Sequence, residues 1–169
     1  RSLWVRKTPP MNPELILAII LELFPHMSGN NRQCIENHQD RILQQVHEAT
    51  DAPLIEGVPS IPPEVLMVVG FVETHLGCDA GEGGNWGAPI DAEHRHTAGT
   101  HMHAAYSLAR GYQRCGSWDG AIMRFRTGLC NPRHSPNPEV TTIGLRYLRL
   151  VHHIIRRIEV RSTPAGMGC

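Results

Sequence analysis

The chain has 169 residues, 41% of them apolar and 19% charged, the length of one domain able to bury a real core. Sixteen basic side chains balance sixteen acidic ones, which excludes a global cationic field for nucleic acid and the acidic excess of a disordered chain. The longest apolar runs, Leu15 to Leu21 and Val65 to Val72, fall far short of the ~20 residues of a bilayer span, so no membrane span is expected. Aromatic residues, at 5%, are too scarce for an all-β sandwich or barrel. The chain starts at Arg1 without a signal-peptide pattern and reads as a processed chain or a fragment.

The punctuation is helical from the start. Asn12-Pro13 is an N-cap followed by proline at the first helical position, and the apolar stretch behind it stops at Pro25. A second helix is predicted from Asn31 to about Ala49, with Ile35, Ile42, Leu43 and Val46 on one face. Pro53, Gly57 and Pro59 mark a loop. A third helix begins at Pro62-Pro63 and runs to about His75 or Leu76, where Gly77 stops it. A Gly-rich acidic loop follows to about Thr97. Thr100 caps a predicted fourth helix to Cys115, and Ser117 a fifth to about Thr127. Asn137-Pro138 opens a long helix to about Val160, with a tail after Ser162. Alternating β-branched runs and internal repeats are missing. The expectation is a single all-α domain of about six helices. Residues 1–60 form its N-terminal helices, 61–130 its core, 131–162 a long C-terminal helix and 163–169 a tail.

Glu73 is the residue that breaks the pattern. The third predicted helix is apolar on every side, as a central helix is, yet Glu73 shares a stripe with Leu66, Val69 and Gly70 at its C-terminal end. Apolar burial and the negative end of the helix dipole both disfavour a charged carboxylate there, so the sequence predicts a raised pKa. A carboxylic acid that holds its proton near neutrality can protonate a leaving oxygen. Gly70 costs ~1 kcal/mol relative to alanine inside a helix, which points to close approach of another backbone or a ligand.

The run Ile61-Pro62-Pro63-Glu64-Val65-Leu66-Met67-Val68-Val69-Gly70-Phe71-Val72-Glu73-Thr74 resembles the catalytic helix of soluble lytic transglycosylases and goose-type lysozymes, a lysozyme-like superfamily. There a proline-initiated apolar helix ends in Glu followed by Ser or Thr, and a Gly-rich loop like Gly81 to Ala88 comes next. Gly116 to Gly128 resembles the family's later helix, with Phe125 where a Tyr is usual and Arg126 where an Asn is usual. The resemblance spans roughly residues 61 to 130. It implies cleavage of the β-1,4 bond between N-acetylmuramic acid and N-acetylglucosamine of peptidoglycan strands, with Glu73 as general acid and base and no cofactor. Substrate contacts are implied at Thr74, Asn85, Trp86, Phe125 and Arg126, where Trp86 would stack on a sugar ring or pack on the helix. An inverting hydrolase would need a second carboxylate about 6.5–9.5 Å from the acid, and Asp79, Glu82 and Asp91 are the candidates. The single-acid transglycosylase is the first reading. A lysozyme-like glycan-binding or structural module of an envelope or virus particle is the second, and a chitinase-like hydrolase or inverting muramidase the third. All three imply a cell-envelope, secreted or virion-associated location, with the targeting segment outside this sequence.

Other features carry less. His94-x-His96 and His101-x-His103, near Asp91 and Glu93, have a spacing that diverges on a helix, so no metal site is expected. Five cysteines form no C-x-x-C pair; Cys115 and Cys130 suit a bridge, Cys78 competes for either, and a fully reduced set is equally compatible. On the last helix Arg146, Arg149, His153 and Arg156 form a basic stripe that reads as a solvated face or as a contact for an anionic polymer or acidic partner.

Overall fold

The computed structural model describes residues 10–79, 86, 87 and 101–163. Seven α-helices are found there: α1 (Pro13–Leu23), α2 (Gly29–Asn37), α3 (Gln39–Thr50), α4 (Pro63–Thr74), α5 (His101–Cys115), α6 (Trp118–Thr127) and α7 (Pro138–Ser162), with a 3-10 turn at Pro132–His134. No strand occurs among the described residues.

The start signals act as their chemistry requires. The Asn12 side chain accepts from the Glu14 and Leu15 amides, Ser117 from Gly120 and Asn137 from Glu139, so amides orphaned by the helical pattern are satisfied locally. Thr100, the predicted cap of α5, lies outside the described residues, as do residues 80–85 and 88–97 of the Gly-rich loop and the tail from 164.

One predicted helix is two. The segment from Asn31 to Ala49 breaks at His38, where φ −119° and ψ 22° interrupt the ladder and the His38 amide bonds back to Cys34 and Ile35. Asn37 and His38 are weak helix formers, and tertiary ties hold α2 elsewhere. Arg32 donates to the Leu21 carbonyl at the end of α1, and Cys34 is bonded to Cys78 beyond α4.

Helix α4 is central, packed by α1, α3, α5 and α7. Val65, Leu66, Met67, Val68 and Val69 are fully buried, as a helix apolar all round should be. It ends at Thr74, one or two residues short of the sequence reading. His75 (φ 50°) and Leu76 (φ 58°) take the left-handed conformation before Gly77 is reached. The Leu76 amide bonds back to the Gly70 carbonyl and the His75 amide to Phe71, a nested pair that satisfies two of the last carbonyls. Left-handed geometry is costly for a leucine; complete burial of Leu76 in the core offsets it.

Candidate functional site around Glu73

Glu73 sits on the penultimate residue of α4, and three other segments converge on it. Arg126, near the end of α6, places Nη1 3.5 Å from Glu73 Oε2. The Glu73 side chain is 12% exposed and that of Arg126 49%, so the carboxylate is recessed and the guanidinium stands at its mouth. Tyr147 of α7 lies beneath, its ring 5.7 Å from the Arg126 guanidinium carbon. Gly87 covers the fourth side: a Cβ built there would lie 2.4 Å from Glu73 Cβ and 3.1 Å from Oε2. With φ at +82°, residue 87 is a position where only glycine combines the backbone conformation with the space.

The electrostatics follow from this enclosure. Burial first, then the Glu73 charge and the phenol's hydrogen-bonding approach to that carboxylate, push the Tyr147 phenol pKa far up, with Arg126 opposing, so this phenol stays protonated. The phenol and the carboxylate are close enough to feel each other without closing a hydrogen bond of ordinary geometry. Glu73 Oε1 and the Tyr147 hydroxyl are both buried and both lack a partner. A buried carboxylate oxygen left so is expensive in a finished core, and it is what a site that exchanges a proton with something else would retain.

The sequence-predicted residues divide. Arg126 is at Glu73. Trp86 is not a free platform for a sugar: it is fully buried, its six-membered ring lying over Gly70, where a Cβ would be 2.4 Å from Cε3. The close approach anticipated at Gly70 is therefore that of this indole, because a large flat side chain fills the notch better than it covers the surface. Phe125 is also buried, at 8% exposure, and serves the core rather than a ligand. Thr74 spends its hydroxyl on the end of α4, accepting from the Gly77 amide at 3.0 Å and donating to the Gly70 carbonyl at 3.4 Å. Asp79 is turned to other partners: His75 Nδ1 lies 2.6 Å from its Oδ1, and Asn31 donates to the same oxygen. Asn85, Glu82 and Asp91 lie outside the described residues.

Tyr147 is the residue that sequence reasoning missed as part of the site. Its spacing with Val151, Ile154 and Ile158 is that of a core stripe, and nothing local distinguishes a phenol that meets a carboxylate 74 positions earlier. The cysteines are paired Cys115–Cys130 and Cys34–Cys78. Cys34 was not among the expected partners; it sits on α2, ahead of the break at His38. Among the described residues no three His, Cys, Asp or Glu side chains gather as metal ligands. His101 instead meets Glu48 at 2.8 Å, while His94, His96 and Glu93 lie outside the described residues.

No protein-family model matches the chain, and comparison with curated proteins and with solved structures returns no match.

Proposed function

We propose that the protein is a peptidoglycan-cleaving glycosidase with a lysozyme-like helical fold, acting on the β-1,4 bond between N-acetylmuramic acid and N-acetylglucosamine as a lytic transglycosylase. The observation that carries the reading is Glu73: a recessed carboxylate at the end of the central helix, with one oxygen unpartnered and aromatic, glycine and guanidinium walls around it. In this reaction the Glu73 carboxylic acid protonates the glycosidic oxygen while an oxocarbenium-like centre develops at the muramic acid C1. The substrate's acetamido group assists. The Glu73 carboxylate then takes the proton of the sugar 6-hydroxyl, which closes a 1,6-anhydro ring.

The single-acid form is favoured over an inverting hydrolase because Asp79, the described candidate for a second carboxylate, is held by His75 and Asn31. Two disulfides support an oxidising compartment, as a secreted, envelope or virion-associated enzyme would meet. One observation favours the non-catalytic module instead: the Arg126 guanidinium already neighbours Glu73 Oε2 and would hold it as an anion partner.

Digestion of purified peptidoglycan by the native protein and by Glu73→Gln, with products identified by mass, decides between them. Anhydro-ended muropeptides, reduced by a factor of roughly 10²–10⁴ in the variant, are expected from an acid catalyst. Reducing ends would replace the transglycosylase by a muramidase. Binding without release by the native protein would establish the inert module, and full activity of Glu73→Gln would remove Glu73 from the chemistry.

A further inference from the structure

The outer face of α7 is not used by the Glu73 site. The chain as a whole is neutral, yet α7 carries five arginines against two glutamates. Arg161 is tied to Glu22 of α1. Arg146, Arg149, Arg156 and Arg157 are exposed, and among the described residues none of the four is paired with a carboxylate. At the rise of an α-helix, Arg146 to Arg157 spans about 16 Å, a continuous cationic edge. Unpaired guanidiniums so aligned repel one another and favour an anionic surface opposite them.

A second feature adjoins this edge. Leu150 is 44% exposed and, with Ile154, forms one wall of an apolar groove of about 410 Å³. Leu23 at the end of α1, Phe24 and Met27 beyond it and Phe71 of α4 add to its apolar lining, which His26 and His75 also join. On α7, Arg146 lies four residues before Leu150, His153 three after and Arg157 seven after, so the cationic edge runs along the rim of the groove. Ile143 and Val160, 48% and 76% exposed, extend the apolar component toward both ends of the helix.

We infer that this face docks on an anionic lipid surface, the guanidiniums meeting headgroup phosphates and the Leu150 groove receiving apolar chain. A purely polyanionic partner, such as a wall polymer or a nucleic acid, would use the arginines but leave the groove and the exposed aliphatics open to water. A neutral apolar partner would leave four cations without a counter-charge. A lipid surface supplies both, and no described helix is long and apolar enough to cross a bilayer, so the association proposed is peripheral. This inference does not rest on glycosidase activity.

Co-sedimentation of the whole chain with phosphatidylcholine vesicles, with and without phosphatidylglycerol, tests it. The protein should pellet with the anionic vesicles only and be released by salt. Each arginine removed should weaken binding by roughly fivefold, so Arg146→Gln/Arg157→Gln, at the rim of the groove, should weaken it by roughly 25-fold. Leu150→Ser should weaken it several-fold, with melting curves confirming that both variants fold. Equal pelleting with neutral vesicles, or none with anionic vesicles at low salt, would overturn the inference. So would full competition by soluble polyphosphate together with indifference to Leu150→Ser, which would mark a polymer site.

Discussion

Trp86 rests on Gly70: the indole occupies the space that any larger residue at position 70 would need, and it does so completely sealed from solvent. Because residue 87 follows directly and lies on Glu73, this contact locates Gly87 over the carboxylate. Gly70 and Glu73 are one helical turn apart, and Trp86 and Gly87 cover them in the same order. Packing and site are thus two ends of one contact.

Gly70→Ala should therefore destabilise the protein although alanine is the better helix former. Overpacking of this kind costs roughly 1–3 kcal/mol, against a propensity gain of at most ~1 kcal/mol. Thermal melting with tryptophan emission should report a lower Tm and a shifted Trp86 signal. A raised Tm would show that the indole is not seated where the contact puts it.

Tyr147→Phe removes only the buried hydroxyl facing Glu73 and should leave stability nearly unchanged, since that hydroxyl lacks a partner. In the proposed reaction the phenol can donate to the carboxylate as it becomes anionic, so kcat should fall roughly tenfold, the value of about one hydrogen bond, with KM little altered. Peptidoglycan turnover across a substrate series separates the two. A change in KM alone would mean that the phenol binds substrate and does not position Glu73.

The two disulfides close loops of different length. Cys34–Cys78 spans 44 residues and Cys115–Cys130 spans 15, so chain entropy predicts losses of about 4 and about 3 kcal/mol when each pair is replaced by serine. Denaturant titration of the two double variants should show this order. The Cys34–Cys78 variant should also lose more activity, because that bridge anchors the turn immediately behind Glu73 through Cys78, whereas Cys115–Cys130 ties α5 to the end of α6.

His47 gives a pH dependence away from the site. Its ring lies between Glu14 Oε1 at 3.1 Å and Asp51 Oδ1 at 3.2 Å. Hydrogen bonding to Glu14, then to Asp51, raises its pKa above 6.5, and the same contact with His47 lowers that of Glu14 below 4.5. The raised histidine stabilises the fold fully below 6.5 and loses that contribution as pH rises through its folded value. The lowered glutamate contributes above 4.5 and loses its share as pH falls through its folded value. Stability from this cluster should peak between those limits and stay small, since all three groups are exposed and screened. Melting of His47→Gln from pH 4 to 9 should show a flatter profile than the native protein; an identical profile would remove the cluster as its source.

The helices were largely legible because their signals are local. Asn12-Pro13, Asn137-Pro138 and Ser117 each satisfy amides within three residues, and the all-round apolar pattern of α4 required a central position whatever surrounded it. Glu73 stood out for the same reason, as a carboxylate on the stripe of a helix that had to be buried. The break at His38 was not legible, since it depends on Arg32 reaching Leu21 and Cys34 reaching Cys78, contacts made across the fold.

Which neighbours surround Glu73 could not be read along the chain either. Periodicity places Tyr147 on an inward stripe but does not say what it meets there, and Phe125, a substrate contact by resemblance alone, becomes core. Trp86 shows the limit most plainly: an indole in a Gly-rich segment suits a sugar platform and a packing wedge equally well, and the notch at Gly70, formed by a helix folded against it, made it the wedge. Local hydrogen bonding and hydrophobic period act over one or two turns and are written residue by residue. The meeting of side chains from α4, α6, α7 and the loop is set by how helices pack in three dimensions, and that information is carried by no single segment.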